Sequence, residues 1–208
     1  MKLYNTPIPA PNPRRVRIFL AEKGPAAVAA VELVDVNLMK REHKAADHLA
    51  RNSLGQTPTL ELDDGTHISE TVAICRYLES LFPTPPMFGG TPLEQALIDM
   101  WVRRIELQIM TPVGMFWRHA HPFTAAVVVP QYKEFGESNR AHYERALTWL
   151  DGELAKTPFI AGAAYTIADI CALSTIDFAT FTGLAIPDNL SNVKAWHARV
   201  SERPSAKA

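Results

Sequence analysis

Residues 52–74 read NSLGQTPTLELDDGTHISETVAI, and this stretch decides which fold the chain adopts. Residues 59–62 and 66–68 have the pattern of short strands, and the pair Asp64-Gly65 lies between them. An Asp-Gly pair between two strands is a strong signal for a β-hairpin. Ser69 follows the second strand and precedes a run of apolar residues at helical spacing, so it predicts a capped helix. The stretch therefore predicts a β-β-α unit that closes near residue 82.

The residues at the start of the chain predict a first strand and a first helix. Residues 2–6 are the strand candidate, and the prolines that follow require an extended loop over residues 7–11. Asn12 followed by Pro13 predicts an N-cap and a first helical position. Gly24 then predicts the end of this helix, because glycine readily adopts the left-handed conformation of a helix end.

Residues 31–36 predict a second strand, because apolar and β-branched residues dominate them. A strand, a helix and a strand at this spacing favour a parallel pair with a right-handed crossover, so we expect this second strand to be buried beside the first. Residues 37–56 are mixed and polar, and they predict a loop with one helical turn near residues 45–50.

The rest of the chain is helical in pattern. Residues 83–91 hold prolines and glycines without periodicity and predict a linker. Thr91 with Glu94, and Thr166 with Asp169, have the spacing of a helix capping box. Helices are predicted from residue 92 onward with a kink at Pro112, over residues 131–155, from residue 167 to about 181, and over residues 191–199. The chain therefore divides into an α/β part and an all-α part.

Composition excludes several classes of partner and compartment. The 208 residues include 21 Lys and Arg against 22 Asp and Glu, for a net charge of −1, so we expect neither nucleic acid nor an anionic membrane as partner. No apolar run approaches the roughly 20 residues of a membrane helix, and the first residues lack the apolar core of a signal peptide. Cys75 and Cys171 fit neither a disulfide scaffold nor a metal site, so they predict buried thiols in a cytoplasmic protein.

Four motifs, in order along nearly the whole chain, resemble those of the cytosolic glutathione transferase family. They are residues 2–4 with 15–24 (KLY and RVRIFLAEKG), residues 52–60, residues 69–74, and residues 150–170. The resemblance implies an α/β thioredoxin-like N-terminal domain (residues 1–82), a linker (residues 83–91) and an all-α helical C-terminal domain (residues 92–208). It also implies glutathione as co-substrate, no metal cofactor, and a homodimer.

The resemblance assigns residues to the γ-glutamyl end of glutathione. Glu70 would pair with the ammonium group, and Thr71 would bind the carboxylate at a helix start, where free N–H groups favour an anion. Gln56 would touch the same carboxylate. The alternative is that Ser69 and Glu70 only cap the helix.

Two further groups would hold the rest of the tripeptide. By resemblance, the Thr57–Pro58 bond is cis, and the N–H and C=O of Thr57 would pair with the cysteinyl backbone as an added strand. The alternative is an ordinary turn. His43 and Lys44 stand where plant-type and related bacterial transferases keep a His-Lys pair for the glycyl carboxylate. The alternative for these two is a solvated charged loop.

The thiol site departs from the usual family pattern. Ala10 occupies the position of the family's Ser or Cys, and Asn5 that of its Tyr, which resembles an atypical subgroup of yeast-type and bacterial members. Three replacements are open: the start of the first helix at Asn12 with the positive potential of Arg14 and Arg15, a water held by His119 or His121, or a displaced Tyr4. Thr6 is nearby, but its strand position predicts that it misses the site.

A small hydrophobic electrophile is the expected second substrate. Its pocket is predicted from two groups: Ile8, Pro9 and Ala10 in the first loop, and Met115, Phe116 and Trp117 in the helical part. The alternative for the second group is ordinary core packing. Two other functions stay open, a binding protein for glutathione or hydrophobic ligands without turnover, and a glutathione-dependent reductase, peroxidase or lyase. Histidines without motif context, His48 among them, are interpreted as surface residues.

Overall fold

The computed structural model describes residues 1–7 and 9–208, and the predicted pocket residue Ile8 lies outside the described residues. The chain forms two compact units. Unit 1 comprises Met1–Phe88 together with the terminal segment Pro204–Ala208, and unit 2 comprises Gly89–Arg203. Within the described ranges, no helix is both long enough and apolar enough to cross a membrane.

Unit 1 contains a mixed four-stranded sheet of the thioredoxin-like type. Its strands are β1 (Lys2–Asn5), β2 (Glu32–Asp35), β3 (Thr59–Glu61) and β4 (His67–Ser69), in the spatial order β2-β1-β3-β4. β1 and β2 are parallel, whereas β3 is antiparallel to both β1 and β4. The predicted parallel pair and the predicted hairpin are both confirmed.

The prediction that the second strand is buried is wrong. β2 lies at the edge of the sheet, and Leu33 at its centre keeps 49% of its surface exposed. Only Val31 and Val36, which flank the strand, are buried. An edge strand has a neighbour on one side only, and the composition of the segment alone does not distinguish an edge from a central position.

The helices of unit 1 are α1 (Pro11–Lys23), α2 (Pro25–Ala29), α3 (Ala46–Arg51) and α4 (Thr71–Leu81), with 3-10 turns at Glu42–Lys44 and Pro204–Lys207. α1 and α4 pack against each other. Residues of the sheet and of these two helices form a fully buried core: Leu3, Val16, Ile18, Phe19, Leu60, Ile74 and Leu78.

Two helix starts differ from the sequence prediction. α1 begins at Pro11 with Ala10 as N-cap, so Asn12 lies inside the first turn instead of capping it. Pro11 has the fixed φ that suits a first helical position as well as Pro13 does, and the sequence alone does not choose between them. α4 begins at Thr71 with Glu70 as N-cap, whereas Ser69 is the last residue of β4. The end of α1 at Gly24, where φ is 91°, is confirmed.

A buried ion pair and an aromatic contact hold residues 83–88 against the rest of unit 1. The Nζ atom of Lys23 has no exposed surface, forms an ion pair with Glu79 and donates to the carbonyl of Pro85. The Phe88 ring lies beneath the guanidinium of Arg76, with 4.6 Å between them. Residues 83–88 therefore pack as part of unit 1.

Unit 2 is entirely helical apart from its connections. Its helices are α5 (Pro92–Ile105), α6 (Thr111–His119), α7 (Lys133–Leu154), α8 (Ile167–Phe181) and α9 (Ser191–Ser201). Both predicted capping boxes, at the starts of α5 and α8, are confirmed. The irregularity predicted at Pro112 takes the form of a π-helical turn at Glu106–Met110, in which the Thr111 hydroxyl donates to the Glu106 carbonyl over 3.0 Å.

The capping box of α8 forms the polar centre of the unit 2 core. Asp169 is fully buried and accepts hydrogen bonds from the N–H groups of Ile160 (3.0 Å) and Thr166 (2.9 Å), from the Thr166 hydroxyl, and from Nε1 of Trp196 (2.9 Å). Burial raises the pKa of Asp169 to about 6, although these four donors favour the charged form. Cys171, on the same helix, and Cys75 in unit 1 are buried thiols outside any disulfide bond, as predicted.

Candidate functional site

One end of the unit 1 sheet collects residues that were predicted separately. In the antiparallel ladders, Thr59 pairs with Tyr4 on one side and with Ser69 on the other. The residue two places before Thr59 therefore lies beside the residue two places after Tyr4, and the Thr6 and Thr57 hydroxyl oxygens are 2.9 Å apart. Glu70 follows Ser69 directly at the same end of the sheet. Thr57 and the start of α4 are thus neighbours.

The start of α4 has an unusual backbone. Glu70 has φ 69° and ψ 118°, a left-handed region that non-glycine residues rarely occupy, and its side chain makes no capping hydrogen bond. A residue held in such a conformation costs about 1–3 kcal/mol and is common at binding sites. The alternative in which this side chain only caps the helix is therefore not what the structure shows. Glu70 is exposed, whereas Thr71 is buried.

The Thr57–Pro58 peptide bond is cis, as the resemblance implied. Thr57 is half-buried, and among the described residues its backbone N–H has no acceptor and its C=O has no donor. Unpaired backbone groups are uncommon in the folded interior, because an unmade hydrogen bond is costly. The Gln56 side chain beside them is exposed. This peptide edge is therefore open to an added strand.

The predicted pair His43 and Lys44 lies against the same turn. The 3-10 turn Glu42–Lys44 carries both residues, and Nζ of Lys44 donates to the Leu54 carbonyl over 2.9 Å. Gly55 has φ 56°, and a Cβ at this position would lie 2.7 Å from the His43 carbonyl oxygen, so only glycine permits this approach. Burial and then the charge of Lys44 lower the pKa of His43, whose Nδ1 atom is buried without a partner among the described residues.

The first turn of α1 offers a single open backbone donor within the described residues. The Ala10 N–H donates to the Pro7 carbonyl, and Pro11 and Pro13 have no N–H group. The N–H of Asn12 remains, and the Oδ1 atom of Asn12 is buried without a hydrogen-bond partner in the described residues. The free N–H groups that the sequence predicted for this helix start thus reduce to that of Asn12.

The charged residues next to Asn12 have structural contacts. Nη2 of Arg14 donates to the Ala206 carbonyl in the terminal segment of unit 1 over 2.8 Å, and Arg15 is 1% exposed. The positive charges of both residues still lie at the start of α1, where the sequence placed them.

Neither Tyr4 nor Asn5 is available as a thiol donor. The Tyr4 hydroxyl donates to Glu61 over 2.7 Å, and the guanidinium of Arg51 lies 4.5 Å from its ring, so the displaced Tyr4 is not what the structure shows. The Asn5 amide donates to Asp35 over 2.8 Å and accepts from Arg17. Both side chains are committed to partners within unit 1.

In unit 2, the two candidate histidines lie at the end of α6 and just after it. Nδ1 of His119 accepts from the Tyr132 N–H over 3.4 Å, and Nδ1 of His121 accepts from the Phe123 N–H over 3.3 Å. When the rings are neutral, both therefore carry the proton on Nε2. Among the described residues, no group of three or more His, Cys, Asp or Glu is arranged to hold a metal ion.

The predicted electrophile residues of unit 2 differ in their surroundings. Trp117 is half-buried and packs against other aromatic rings: His121 at 4.6 Å, Phe178 at 5.3 Å, Phe123 at 5.5 Å and Phe181 at 6.4 Å. Phe116 is only 4% exposed, and its ring lies 4.7 Å from the guanidinium of Arg140. Met115 is half-buried, as is Ala10 in unit 1, and Pro9 is exposed. Trp117 thus belongs to a partly exposed aromatic group, and Phe116 to the interior.

A wide groove in unit 2 contains none of the predicted site residues. Its volume is about 770 Å³, and Arg104, His142 and Trp149 are among the residues that line it, on the faces of α5 and α7. The groove is broad and open, so its size alone assigns it no ligand.

Three residues at the sheet end were missed or misread from the sequence. Thr6, which the sequence did not assign to the site, contacts Thr57 through its hydroxyl. His48, interpreted as a surface residue, is 2% exposed and donates to the Gln56 carbonyl. Asn52 donates to the same carbonyl, over 3.0 Å. The signal for Asn52 was its place in the motif at residues 52–60, whereas nothing local identifies His48.

The comparisons with known proteins identify the family of the chain. The model of the glutathione S-transferase N-terminal domain matches residues 1–80, and that of the C-terminal domain matches residues 114–204. The chain belongs to the glutathione S-transferase family. A curated relative, glutathione S-transferase 2 of Saccharomyces cerevisiae, is 39% identical over 208 residues, which is all of this chain and 88% of the relative. Glutathione S-transferase theta-2 of Homo sapiens is 32% identical over 90% of this chain and 75% of its own length.

Solved structures of the family confirm the yeast-type and bacterial resemblance. The crystal structure of Gtt2 from Saccharomyces cerevisiae has a TM-score of 0.93 at 39% identity and covers 100% of this chain and 99% of its own. A glutathione S-transferase domain-containing protein of Marinobacter aquaeolei VT8 has the same TM-score and identity, with 99% of both chains covered. This glutathione S-transferase therefore groups with relatives from yeast and bacteria.

Proposed function

We propose that this transferase joins the thiolate of glutathione to the electrophilic carbon of a small hydrophobic compound. The observation that carries the proposal is the open peptide edge of Thr57, whose N–H and C=O lack partners in the described part of the chain. It lies next to the start of α4 and the strained Glu70. An extended peptide with an ammonium and a carboxylate at one end fits such an edge.

The ends of glutathione are assigned by charge. Glu70 pairs with the γ-glutamyl ammonium, while Thr71, the first residue of α4, and Gln56 bind the γ-glutamyl carboxylate. Lys44 and His43, which lie against the turn at Gly55, bind the glycyl carboxylate. The tripeptide would thus be held at both ends and along its centre.

The chemical step requires an ionised sulfur. The N–H of Asn12 at the start of α1, together with the helix dipole, stabilises the thiolate and so lowers the pKa of the bound thiol, and the proton passes to solvent. The sulfur then donates an electron pair to the electrophilic carbon, a C–S bond forms, and the leaving group departs with the electron pair of its own bond. The protein contributes orientation and charge stabilisation.

Further parts of the proposal rest on the family resemblance. His119 and His121 would support the thiolate through a water molecule, to which a neutral ring donates from Nε2. Pro9, Ala10, Met115 and Trp117 would contact the electrophile, with Phe116 supporting them from the interior of unit 2. We also propose a cytoplasmic homodimer, which sedimentation at several protein concentrations would test.

A second candidate is a carrier that binds glutathione without turnover. Ala10 favours it, because the hydroxyl or thiol that usually faces the sulfur is missing. A reductase that forms mixed disulfides has less support, since Cys75 and Cys171 are both buried.

The test combines calorimetry with a conjugation assay. We expect reduced glutathione to release heat of binding, and 1-chloro-2,4-dinitrobenzene to be turned over. Glu70→Gln should weaken binding by roughly 10- to 100-fold, the size of a hydrogen bond to a charged group. Glu32→Gln, at the exposed start of the edge strand β2, is the matched control and should change nothing.

Each result separates the candidates. Binding without turnover favours the carrier, and the absence of any binding to the folded chain refutes both functions. The double variant His119→Gln/His121→Gln should lower kcat while leaving the affinity for glutathione nearly intact. An unchanged kcat would indicate that the N–H of Asn12 stabilises the thiolate without help from the two histidines.

A further inference from the structure

The carbonyl of Gln56 accepts hydrogen bonds from two buried side chains that no assignment of the site includes, and the buried Thr59 hydroxyl donates to the same oxygen over a longer 3.5 Å. Nε2 of His48 lies 2.9 Å from this oxygen, and Nδ2 of Asn52 lies 3.0 Å from it. A carbonyl only accepts, so Nε2 of His48 carries the proton. His48 is 2% exposed and Asn52 is 7% exposed, so both hydrogen bonds are shielded from water.

This carbonyl shares a peptide plane with the N–H of Thr57. The peptide unit is planar, and the Gln56–Thr57 bond is trans, so its C=O and N–H point in opposite directions. Two donors that fix the carbonyl on one edge therefore fix the direction of the Thr57 N–H on the other edge. That N–H has no acceptor among the described residues, which leaves it open to a ligand.

We propose that His48 and Asn52 are positioning residues, which hold the Gln56–Thr57 peptide in the orientation that receives the cysteinyl backbone of glutathione. The inference rests on the proposed function. Neither side chain touches glutathione in this arrangement, so both act on affinity through the peptide. Their loss should raise the KM and Kd for glutathione and leave kcat at saturation nearly unchanged.

The two residues differ in what else they do. The His48 ring makes no other hydrogen bond within the described residues, and the Tyr4 ring meets it edge-on at 6.1 Å. Asn52 also donates to the Thr59 hydroxyl and accepts from the Leu54 N–H. His48 variants are therefore the cleaner test, and Asn52→Asp keeps the acceptor while removing the donor.

The variants at His48 separate the hydrogen bond from the volume of the ring. The amide nitrogen of Gln reaches the place of Nε2, whereas that of Asn reaches only the place of Nδ1. We expect His48→Gln to bind reduced glutathione like the parent chain and His48→Asn to bind about 3- to 10-fold more weakly, the range of one neutral hydrogen bond. Asn52→Asp should weaken binding by at least about 10-fold, because a carboxylate would also repel the carbonyl.

The measurements are calorimetry with reduced glutathione and steady-state kinetics with 1-chloro-2,4-dinitrobenzene. His67→Asn and His67→Gln, at an exposed histidine of β4, and Asn37→Asp, at an exposed asparagine, are the matched controls. Thermal unfolding of every variant reports whether it folds. The controls should leave the KM, Kd and kcat unchanged.

The outcomes decide the proposal and keep it apart from the proposed function. Equal affinity of His48→Asn and His48→Gln would overturn it, as would a loss of kcat at an unchanged KM. If Asn52→Asp unfolds, the His48 pair still decides. If the parent chain itself binds no glutathione, the proposed function fails, whereas a parent that binds and variants that bind equally well refute the positioning role alone.

Discussion

The polar groups around Asp169 in unit 2 and those at the sheet end of unit 1 differ in whether they have hydrogen-bond partners. Asp169 is fully buried and receives four hydrogen bonds from its own unit. At the sheet end, the backbone of Thr57 and the side chain of Asn12 have polar atoms without partners in the described residues, and Glu70 is strained. A satisfied buried network stabilises a fold, whereas open polar groups at a strained backbone are ready for a ligand.

The largest effect is expected from breaking the satisfied network. Asp169→Ala leaves the indole N–H of Trp196 and the N–H groups of Ile160 and Thr166 buried without an acceptor. We expect a loss of about 3–5 kcal/mol in the free energy of unfolding, measured by urea denaturation.

The capping box at the start of α5 supplies the matched control. Glu94 accepts from the N–H groups of Gly90 and Thr91, but the site is exposed to water. Glu94→Ala should therefore cost only about 1 kcal/mol, because water replaces the lost acceptor. Equal losses at the two capping boxes would contradict the role assigned to burial.

The same carboxyl gives the stability a pH dependence. The pKa of Asp169 is about 6 in the folded chain against 3.8 as its ordinary value, so between these values the folded state binds the proton more readily. Asp169 therefore contributes more stability at pH 4 than at pH 7, by about 3 kcal/mol at most. Asp169→Asn cannot titrate, so the free energy of unfolding of the parent minus that of the variant should rise as the pH falls through 6. A difference that stays flat with pH would contradict this.

Glu70, unlike Asp169, should contribute to the binding of glutathione at a cost in stability. Glycine adopts φ 69° without steric cost, so Glu70→Gly should raise the free energy of unfolding by about 1 kcal/mol while it weakens the binding of glutathione. Glu70→Ala removes the same carboxylate but keeps the strain, so it should weaken binding with little change in stability. If Glu70→Gly is no more stable than Glu70→Ala, the backbone is not strained at this position.

The features that the sequence predicted correctly follow local rules. The hairpin at Asp64-Gly65, the end of α1 at Gly24 and the capping box of α8 each depend on residues within a few positions of one another. Among the residues of the proposed site, Gln56 and Thr57 could be named because they lie in the motif at residues 52–60, and Glu70 and Thr71 because they lie in the motif at residues 69–74.

The features that were missed depend on the packing of distant segments. The contact of Thr6 with Thr57 follows from the register of β1 on β3, and His48 is buried because of where α3 lies in unit 1. The exposure of Leu33 follows from the edge position of β2. These contacts join residues that are far apart in the sequence, so the pattern of any single segment does not predict them.

A substitution at Tyr143 is expected to change the free energy of unfolding least. It tests most directly whether an unpaired polar atom by itself indicates a binding site. Its hydroxyl is fully buried and has no hydrogen-bond partner within the described residues, yet it lies in the core of unit 2 and belongs to no proposed site. Burial, followed by the charge of Asp177, raises the pKa of Tyr143, so the hydroxyl stays neutral.

Tyr143→Phe removes this unmade hydrogen bond and keeps the ring. We expect the free energy of unfolding to stay constant or to rise by up to about 1 kcal/mol, with glutathione affinity and kcat unchanged. Leu147→Ala, one helical turn further along α7 and equally buried, is the control for packing and should cost about 2–5 kcal/mol. A clear loss of stability in Tyr143→Phe would show that the hydroxyl has a partner. A loss of activity at unchanged stability would show that an unpaired polar atom indicates a functional role in unit 2 as well. A single buried hydroxyl without a partner would then be as informative as the several unpaired polar atoms at the sheet end of unit 1.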